Sequence, residues 1–153
     1  MNLDSLYQEI ILEHNRKPRN FRVMADANRK VEGYNPLCGD QITLWLRIEG
    51  DRVADASFQG LGCAISKASA SLMTAAVKGK TVDEARAAAE HMRELLTGKL
   101  DVEKERKSLG SLAALSGVSK FPQRVKCASM AWHALQSALD EHNADAVVGG
   151  ATT

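Results

Sequence analysis

The sequence predicts an α+β domain, in which a small antiparallel sheet of about three strands packs against several helices. Three observations lead to this prediction. Helical spacing of apolar residues opens the chain, two segments of alternating polarity follow around a glycine turn, and helical spacing returns for the rest. The order of helix, strands and helices is typical of an antiparallel sheet covered on one side.

The first helix is predicted from the spacing of six residues, and Pro18 prevents much continuation beyond them. These residues are Leu3, Leu6, Tyr7, Ile10, Ile11 and His14. Residues 41–49 then alternate between apolar and polar side chains, which indicates a half-buried strand. Gly50 and Asp51 form a hairpin-type turn, and residues 52–59 return as the second strand. Residues 31–34 are expected to add a third strand at the edge of the sheet.

Helical patterns occupy the second half of the chain. One begins near Ser66 and ends at Gly79, and the next opens with a capping box at residues 81–84 and ends at Gly98. Residues 101–107 are expected to be a charged, solvated stretch before a short helix at 109–115. The last helix follows Ser119, a candidate N-cap, and Pro122 in the first turn. We therefore expect one domain over residues 1–142 and a flexible tail over 143–153.

Charge and cysteine content narrow the classes of function. The formal net charge of +1 comes without a long basic run, which argues against nucleic-acid binding. The apolar stretches are too short to cross a bilayer, and the N-terminal residues lack the pattern of a secretory signal, so we expect a cytoplasmic protein and no membrane partner. An odd number of cysteines in a reducing compartment favours metal or thiol chemistry over disulfides.

The three cysteines are the candidate functional residues. Cys38 lies two residues before Asp40, so both side chains can face one ion from an extended segment. Cys63 follows Gly62 at a predicted helix N-terminus, and Cys127 lies three residues after Arg124 on the last helix, and both positions favour a thiolate. Three thiolates and one carboxylate form a tetrahedral set that zinc or iron would accept.

Each cysteine also has a plainer interpretation. Cys38 could be a small apolar residue in a turn that leads into the strand, Cys63 a buried residue between strand and helix, and Cys127 a core residue beside a surface arginine. The histidines have no spacing that requires metal: we expect His14 to be a packing or surface residue. His91, His133 and His142 are expected to face solvent. Trp45 and Trp132 are interpreted as core or interface aromatics.

Four segments of the sequence resemble the U-type iron–sulfur cluster assembly family, and within it the SufU branch. They are residues 7–14, residues 35–40, residues 58–66 with 68–71, and residues 121–128. The resemblance covers about residues 1–142 and implies a SufE/IscU-like fold. Lys126 stands where the IscU branch usually has histidine, and the charged segment around residues 98–117 is similar to the extra stretch of SufU proteins. The chaperone-recognition motif of IscU is replaced, so chaperone docking is not implied.

The resemblance implies a zinc site made by Cys38, Asp40, Cys63 and Cys127. It also implies that Cys38 accepts persulfide sulfur from a PLP-dependent cysteine desulfurase of the SufS type and relays it to other iron–sulfur assembly proteins. We expect docking of the desulfurase to release Cys38 from zinc, with Arg124 assisting the sulfur electrostatically.

Two other functions stay open at this stage, a scaffold that carries a transient iron–sulfur cluster on the same thiolates and a structural zinc adaptor that activates the desulfurase without carrying sulfur. A cysteine hydrolase is a remote alternative because no histidine is placed to act as base.

Overall fold

The sheet is built from the alternating segments and from one strand that the sequence did not indicate. The computed structural model describes residues 3–36, 39–140 and 145–149. The strands are β1 (Arg29–Asn35), β2 (Asp40–Glu49), β3 (Arg52–Leu61) and β4 (Asp145–Gly149), in the spatial order β3-β2-β1-β4. The first three are antiparallel, with Val31 opposite Leu44 and Leu44 opposite Phe58, which confirms the predicted three-stranded antiparallel sheet.

The fourth strand changes the position of β1 in the sheet. β4 pairs in parallel with β1, so the predicted edge position of residues 31–34 is wrong. Residues 145–149 lie within the stretch for which we expected a tail, and five residues without alternating polarity carry no strand signal of their own. The flexible tail over 143–153 and the domain boundary at residue 142 stay predictions.

The helices lie largely against one face of this sheet. They are α1 (Leu3–Arg16), α2 (Ala64–Val77), α3 (Val82–Leu96), α4 (Val102–Leu109) and α5 (Pro122–Leu139), with a 3₁₀ helix over Gly110–Lys120 before α5. α5 packs on β1 and β2, α2 packs on β3, and α1 packs against α2 and the 3₁₀ helix. The core forms between them because the inward residues of the strands, such as Leu44, Leu46 and Phe58, are buried.

Two of the predicted helix boundaries differ from the structure. Residues 101–107, expected to be a solvated stretch, largely belong to α4, because glutamate, lysine and arginine are good helix formers even without an apolar face. Ser119 is not the N-cap of α5: its hydroxyl donates to the carbonyl of Ser116 within the 3₁₀ helix, and Phe121 occupies the N-cap position. The predicted capping box at Thr81 and Glu84 is confirmed.

Among the described parts of the chain, no helix combines the length and the apolar character needed to cross a membrane. Trp132 lies in the core, and Trp45 is half-buried on β2.

Candidate metal centre

Three residues distant in sequence meet where β2, α2 and α5 begin. Asp40 is the first residue of β2, Cys63 immediately precedes α2, and Cys127 lies in the second turn of α5. One carboxylate oxygen and the two sulfur atoms all lie within 4.8 Å of one another. Ligand atoms around one zinc ion are about 3.5–3.8 Å apart, so a small inward movement would let these three share an ion.

Asp40 and Cys63 are fixed to each other by the backbone. The amide of Cys63 donates to Oδ1 of Asp40 at 2.9 Å, and its thiol lies 3.7 Å from Oδ2. The sulfur of Cys63 also accepts from the amide of Ser66 at 3.4 Å, as an N-cap side chain does. Gly62 makes this approach possible, since a Cβ there would lie 2.5 Å from Oδ1 of Asp40. The buried carboxylate is therefore held beside the helix N-terminus.

Cys127 is positioned by the contact between α2 and α5. Its side chain is buried, and its thiol lies 3.9 Å from the carbonyl oxygen of Gln123 in the preceding turn. One residue further, the carbonyl of Ala128 accepts from the fully buried hydroxyl of Ser69 on α2 at 2.6 Å, and the indole of Trp132 donates to the same hydroxyl at 3.1 Å. These bonds tie the helix that follows Cys63 to the helix that carries Cys127.

Arg124 supplies positive charge to both sulfur atoms. Its pKa is raised above the ordinary value, first by the negative charge that Cys63 can carry and then by a side-chain hydrogen bond with Cys127. The arginine side chain is exposed, so the positive charge next to both sulfur atoms is accessible from outside the protein. The structure therefore places Arg124 next to Cys127, three residues further along α5, and also next to Cys63. The role of Arg124 in sulfur transfer stays a prediction.

Tyr7 also lies beside this group, which the sequence analysis did not anticipate. Burial raises the pKa of its hydroxyl, the positive charge of Arg124 lowers it, and the negative charge of Cys63 raises it. The ring packs on Gly117, where a Cβ would lie 2.9 Å from two ring carbons. The only signal in the sequence was the place of Tyr7 at the start of the motif over residues 7–14.

Cys38 lies outside the described residues. Its place among the metal ligands and its role as sulfur acceptor therefore stay predictions. The amide of Gly39, which follows Cys38, donates to the carbonyl of Asn35, which precedes it, at 2.8 Å. Asp40, two residues after Cys38, is buried.

The donor set fits a soft or borderline metal ion. Two thiols and a carboxylate are ligands that zinc and iron accept, whereas calcium and magnesium prefer oxygen alone. A buried carboxylate next to two sulfur atoms carries a high cost unless cationic charge balances it, which a divalent ion would do. Asp40, Cys63 and Cys127 are the residues that could hold such an ion.

The histidines lie away from this group or outside the described residues. His14 is buried, and its Nδ1 lies 2.7 Å from the hydroxyl of Ser71 on α2. Burial, and then the charge of Arg19, lower the pKa of His14. His91 and His133, expected to face solvent, are half-buried, and His142 lies outside the described residues.

A comparison with protein families decides the relationship. The model of the NifU-like N terminal domain matches residues 6–128, which include all three cysteines. The chain belongs to this family. This match confirms the resemblance to the U-type iron–sulfur cluster assembly family. A SufU relative that is 44% identical confirms the resemblance to the SufU branch.

The relatives include both functional branches. The chain is 44% identical over 138 residues to the zinc-dependent sulfurtransferase SufU of Bacillus subtilis, covering 90% of this chain and 92% of that protein. It is 40% identical over 137 residues to the iron-sulfur cluster assembly scaffold protein IscU of Streptococcus pyogenes, covering 90% and 84%. A crystal structure of a proposed iron-sulfur cluster assembly scaffold protein for the SUF system from Fervidobacterium islandicum superposes with a TM-score of 0.80, at 33% identity over 89% of this chain and 98% of that one.

Proposed function

We propose that this chain is a zinc-dependent sulfurtransferase that accepts persulfide sulfur from a cysteine desulfurase in the cytoplasm and relays it to iron–sulfur cluster assembly. The observation that supports it most directly is the meeting of Asp40, Cys63 and Cys127 within 4.8 Å, with Arg124 against both sulfur atoms. The similarity to a relative named as a zinc-dependent sulfurtransferase favours the same assignment.

In this proposal Cys38, Asp40, Cys63 and Cys127 hold the zinc ion. Zinc, when bound, keeps its cysteine ligands deprotonated and protected. Asp40 is the hard ligand of the set, and its bond from the amide of Cys63 restrains it on one side. Cys38 is the ligand that we expect to move.

Cys38 is the residue that we expect to carry the sulfur. Its thiolate attacks the outer sulfur of the desulfurase persulfide, the sulfur–sulfur bond of the desulfurase breaks, and the desulfurase cysteine leaves as a thiolate. Cys38 then bears the persulfide, so one sulfur–sulfur bond replaces another and no external oxidant or reductant is needed.

Arg124 is placed to assist this exchange. Negative charge passes from one sulfur to another during the attack, and a guanidinium next to Cys63 and Cys127 stabilises such charge wherever it develops. Its exposure allows contact with an incoming persulfide, which a buried arginine could not make without opening the fold.

Labelled sulfur tests the relay. The full-length chain, purified without added metal, is incubated with a SufS-type desulfurase, PLP and ³⁵S-cysteine, and the modified peptide is located by mass spectrometry. We expect one zinc per chain, label on Cys38, and stimulation of the desulfurase that Cys38→Ala abolishes. Asp51→Ala, an exposed turn residue away from the metal group, is the matched control and should retain all three. A chain in which Cys38 stays unlabelled would contradict the proposal, whether or not another cysteine carries the label.

A scaffold function is the second candidate, because a 40% identical relative is named as a scaffold and the same thiols accept iron. Lys126 in place of histidine argues against it. Protein isolated anaerobically with iron and labile sulfide, coloured and without zinc, would favour the scaffold. An adaptor without sulfur transfer would leave stimulation intact in Cys38→Ala, provided that the variant folds.

A further inference from the structure

A cavity lies apart from the metal group, the name used here for Asp40, Cys63 and Cys127. A cavity of about 560 Å³ opens between α2, α3 and the segment where α4 meets the 3₁₀ helix. Its volume falls within the range of roughly 300–1,000 Å³ that is typical of small-molecule sites. None of Asp40, Cys63 and Cys127 lines it.

The wall of the cavity combines an apolar surface with basic side chains. Ala76, Ala88 and Leu112, which are half-buried, contribute to the accessible apolar part, with the buried Leu72 and Met92 behind them. Every ionisable residue among the described lining residues is basic, and these are His14, Arg19, Lys80 and His91. Three acidic side chains lie next to these groups but outside the lining. Glu13 lies 3.3 Å from the guanidinium of Arg19, Glu105 lies 4.0 Å from His91, and Glu84 lines an adjoining recess with Lys80.

His14 contributes a neutral imidazole to this wall. Its Nδ1 lies 2.7 Å from the hydroxyl of Ser71, which also accepts from the amide of Arg19 at 2.7 Å. Burial lowers the pKa of His14, so the ring is neutral at physiological pH and adds a polar group rather than a positive charge.

We propose that this cavity binds a small amphipathic anion, a carboxylate whose apolar body lies against Ala76, Ala88 and Leu112 while its head group faces the basic side chains. The pairing follows from the lining, because an apolar wall whose described ionisable residues are all basic favours an apolar ligand of negative charge. One wall is the segment at residues 109–112, so the ligand would contact the stretch that the sequence relates to the SufU branch. This binding is independent of the proposed sulfur relay.

Two probes of equal length and opposite charge test the proposal. The ¹⁵N-labelled full-length chain is titrated with octanoate and separately with octylammonium, and amide shifts are followed by NMR. We expect saturable octanoate shifts at residues 72–76, 88–92 and 109–112, with binding about tenfold tighter than that of octylammonium because attraction replaces repulsion at the rim. No saturable shift at millimolar octanoate, shifts elsewhere on the surface, or equal affinity for both probes would each overturn it.

Matched variants locate the ligand. Ala88 lines the cavity, whereas Gln136 is exposed on α5 and does not line it, so Ala88→Phe should weaken octanoate binding at least tenfold and Gln136→Phe should not. Lys80→Gln should weaken octanoate roughly two- to fivefold and reduce the preference over octylammonium, with the exposed Lys99→Gln unchanged. Circular dichroism checks the fold, and the Lys80 pair decides the matter if Ala88→Phe is misfolded. Unchanged binding in the cavity variants would overturn the assignment.

Discussion

Gly62→Ala should disturb the group formed by Asp40, Cys63 and Cys127 without replacing any of these residues. The added Cβ would lie 2.5 Å from Oδ1 of Asp40 and 2.7 Å from the hydroxyl of Ser66. Even a close carbon–oxygen contact is about 3.3 Å, so Asp40 or the backbone must move by roughly 0.8 Å. That displacement exceeds the tolerance of about 0.2 Å in a metal site and disturbs the bond between Asp40 and the amide of Cys63.

Gly62→Ala should have two effects, one on the stability of the protein and one on zinc binding. Loss of a buried hydrogen bond to a carboxylate should lower the free energy of unfolding of the metal-free protein by about 1.5–3 kcal/mol. Misplacement of one ligand should weaken zinc binding about 10- to 100-fold, as disturbance of the surroundings of metal ligands does elsewhere. Urea unfolding in the presence of EDTA measures the first effect, and competition with a chromogenic chelator measures the second.

Gly50→Ala is the matched control. Gly50 has a φ of +62° in the turn between β2 and β3, and nothing lies within 4 Å of an added Cβ. That variant should lose about 1 kcal/mol from backbone strain alone and bind zinc as the parent does. Equal zinc affinities of the two alanine variants would refute the reasoning.

Three further variants test other contacts. Arg124→Gln should slow sulfur transfer from the desulfurase roughly tenfold with unchanged zinc content, and transfer at the parental rate would exclude the proposed role. Asp55→Asn should cost about 1 kcal/mol at neutral pH through its 2.7 Å ion pair with Arg22. Burial alone raises the pKa of Asp55, but the bonds from Arg22, the Ala56 amide and Lys78 outweigh it and the net shift is downward, so this stability is present above about pH 4 and lost as the pH falls through the lowered pKa. Urea titrations should show the difference from the parent shrinking in acid; a constant difference would argue against the ion pair. Thr81→Ala should cost about 1 kcal/mol by removing the N-cap of α3, with an unchanged midpoint as the contrary result.

Strong local patterns made the helices and the hairpin predictable. Alternation along β2 and β3, the glycine turn at residue 50, and the capping box at Thr81 each act over a few residues, so the sequence displays them directly. β4 has no such local pattern. It is a strand because it pairs in parallel with β1, which lies more than a hundred residues earlier in the chain. α4 was missed because its charged residues were interpreted as solvated coil, although they favour helix in water as well.

The candidate site was partly predictable for a similar reason. Cysteines are rare and chemically distinctive, so Cys63 and Cys127 could be proposed as neighbours before any distance was known. The buried pairing of His14 with Ser71 joins residues 57 positions apart, and the packing of Tyr7 on Gly117 joins still more distant ones. Such pairs involve common residue types, and only the packing of α1 on α2 and on the 3₁₀ helix defines them.

The buried hydroxyl of Ser69 forms two hydrogen bonds with α5. These bonds affect what happens to the fold when no metal ion is bound. Small zinc fingers unfold when their ion leaves, because the ion replaces the missing core. Here the helices behind Cys63 and Cys127 remain fastened through buried contacts that involve no ligand atom. The two helices that position Cys63 and Cys127 should therefore keep their packing when no ion is bound.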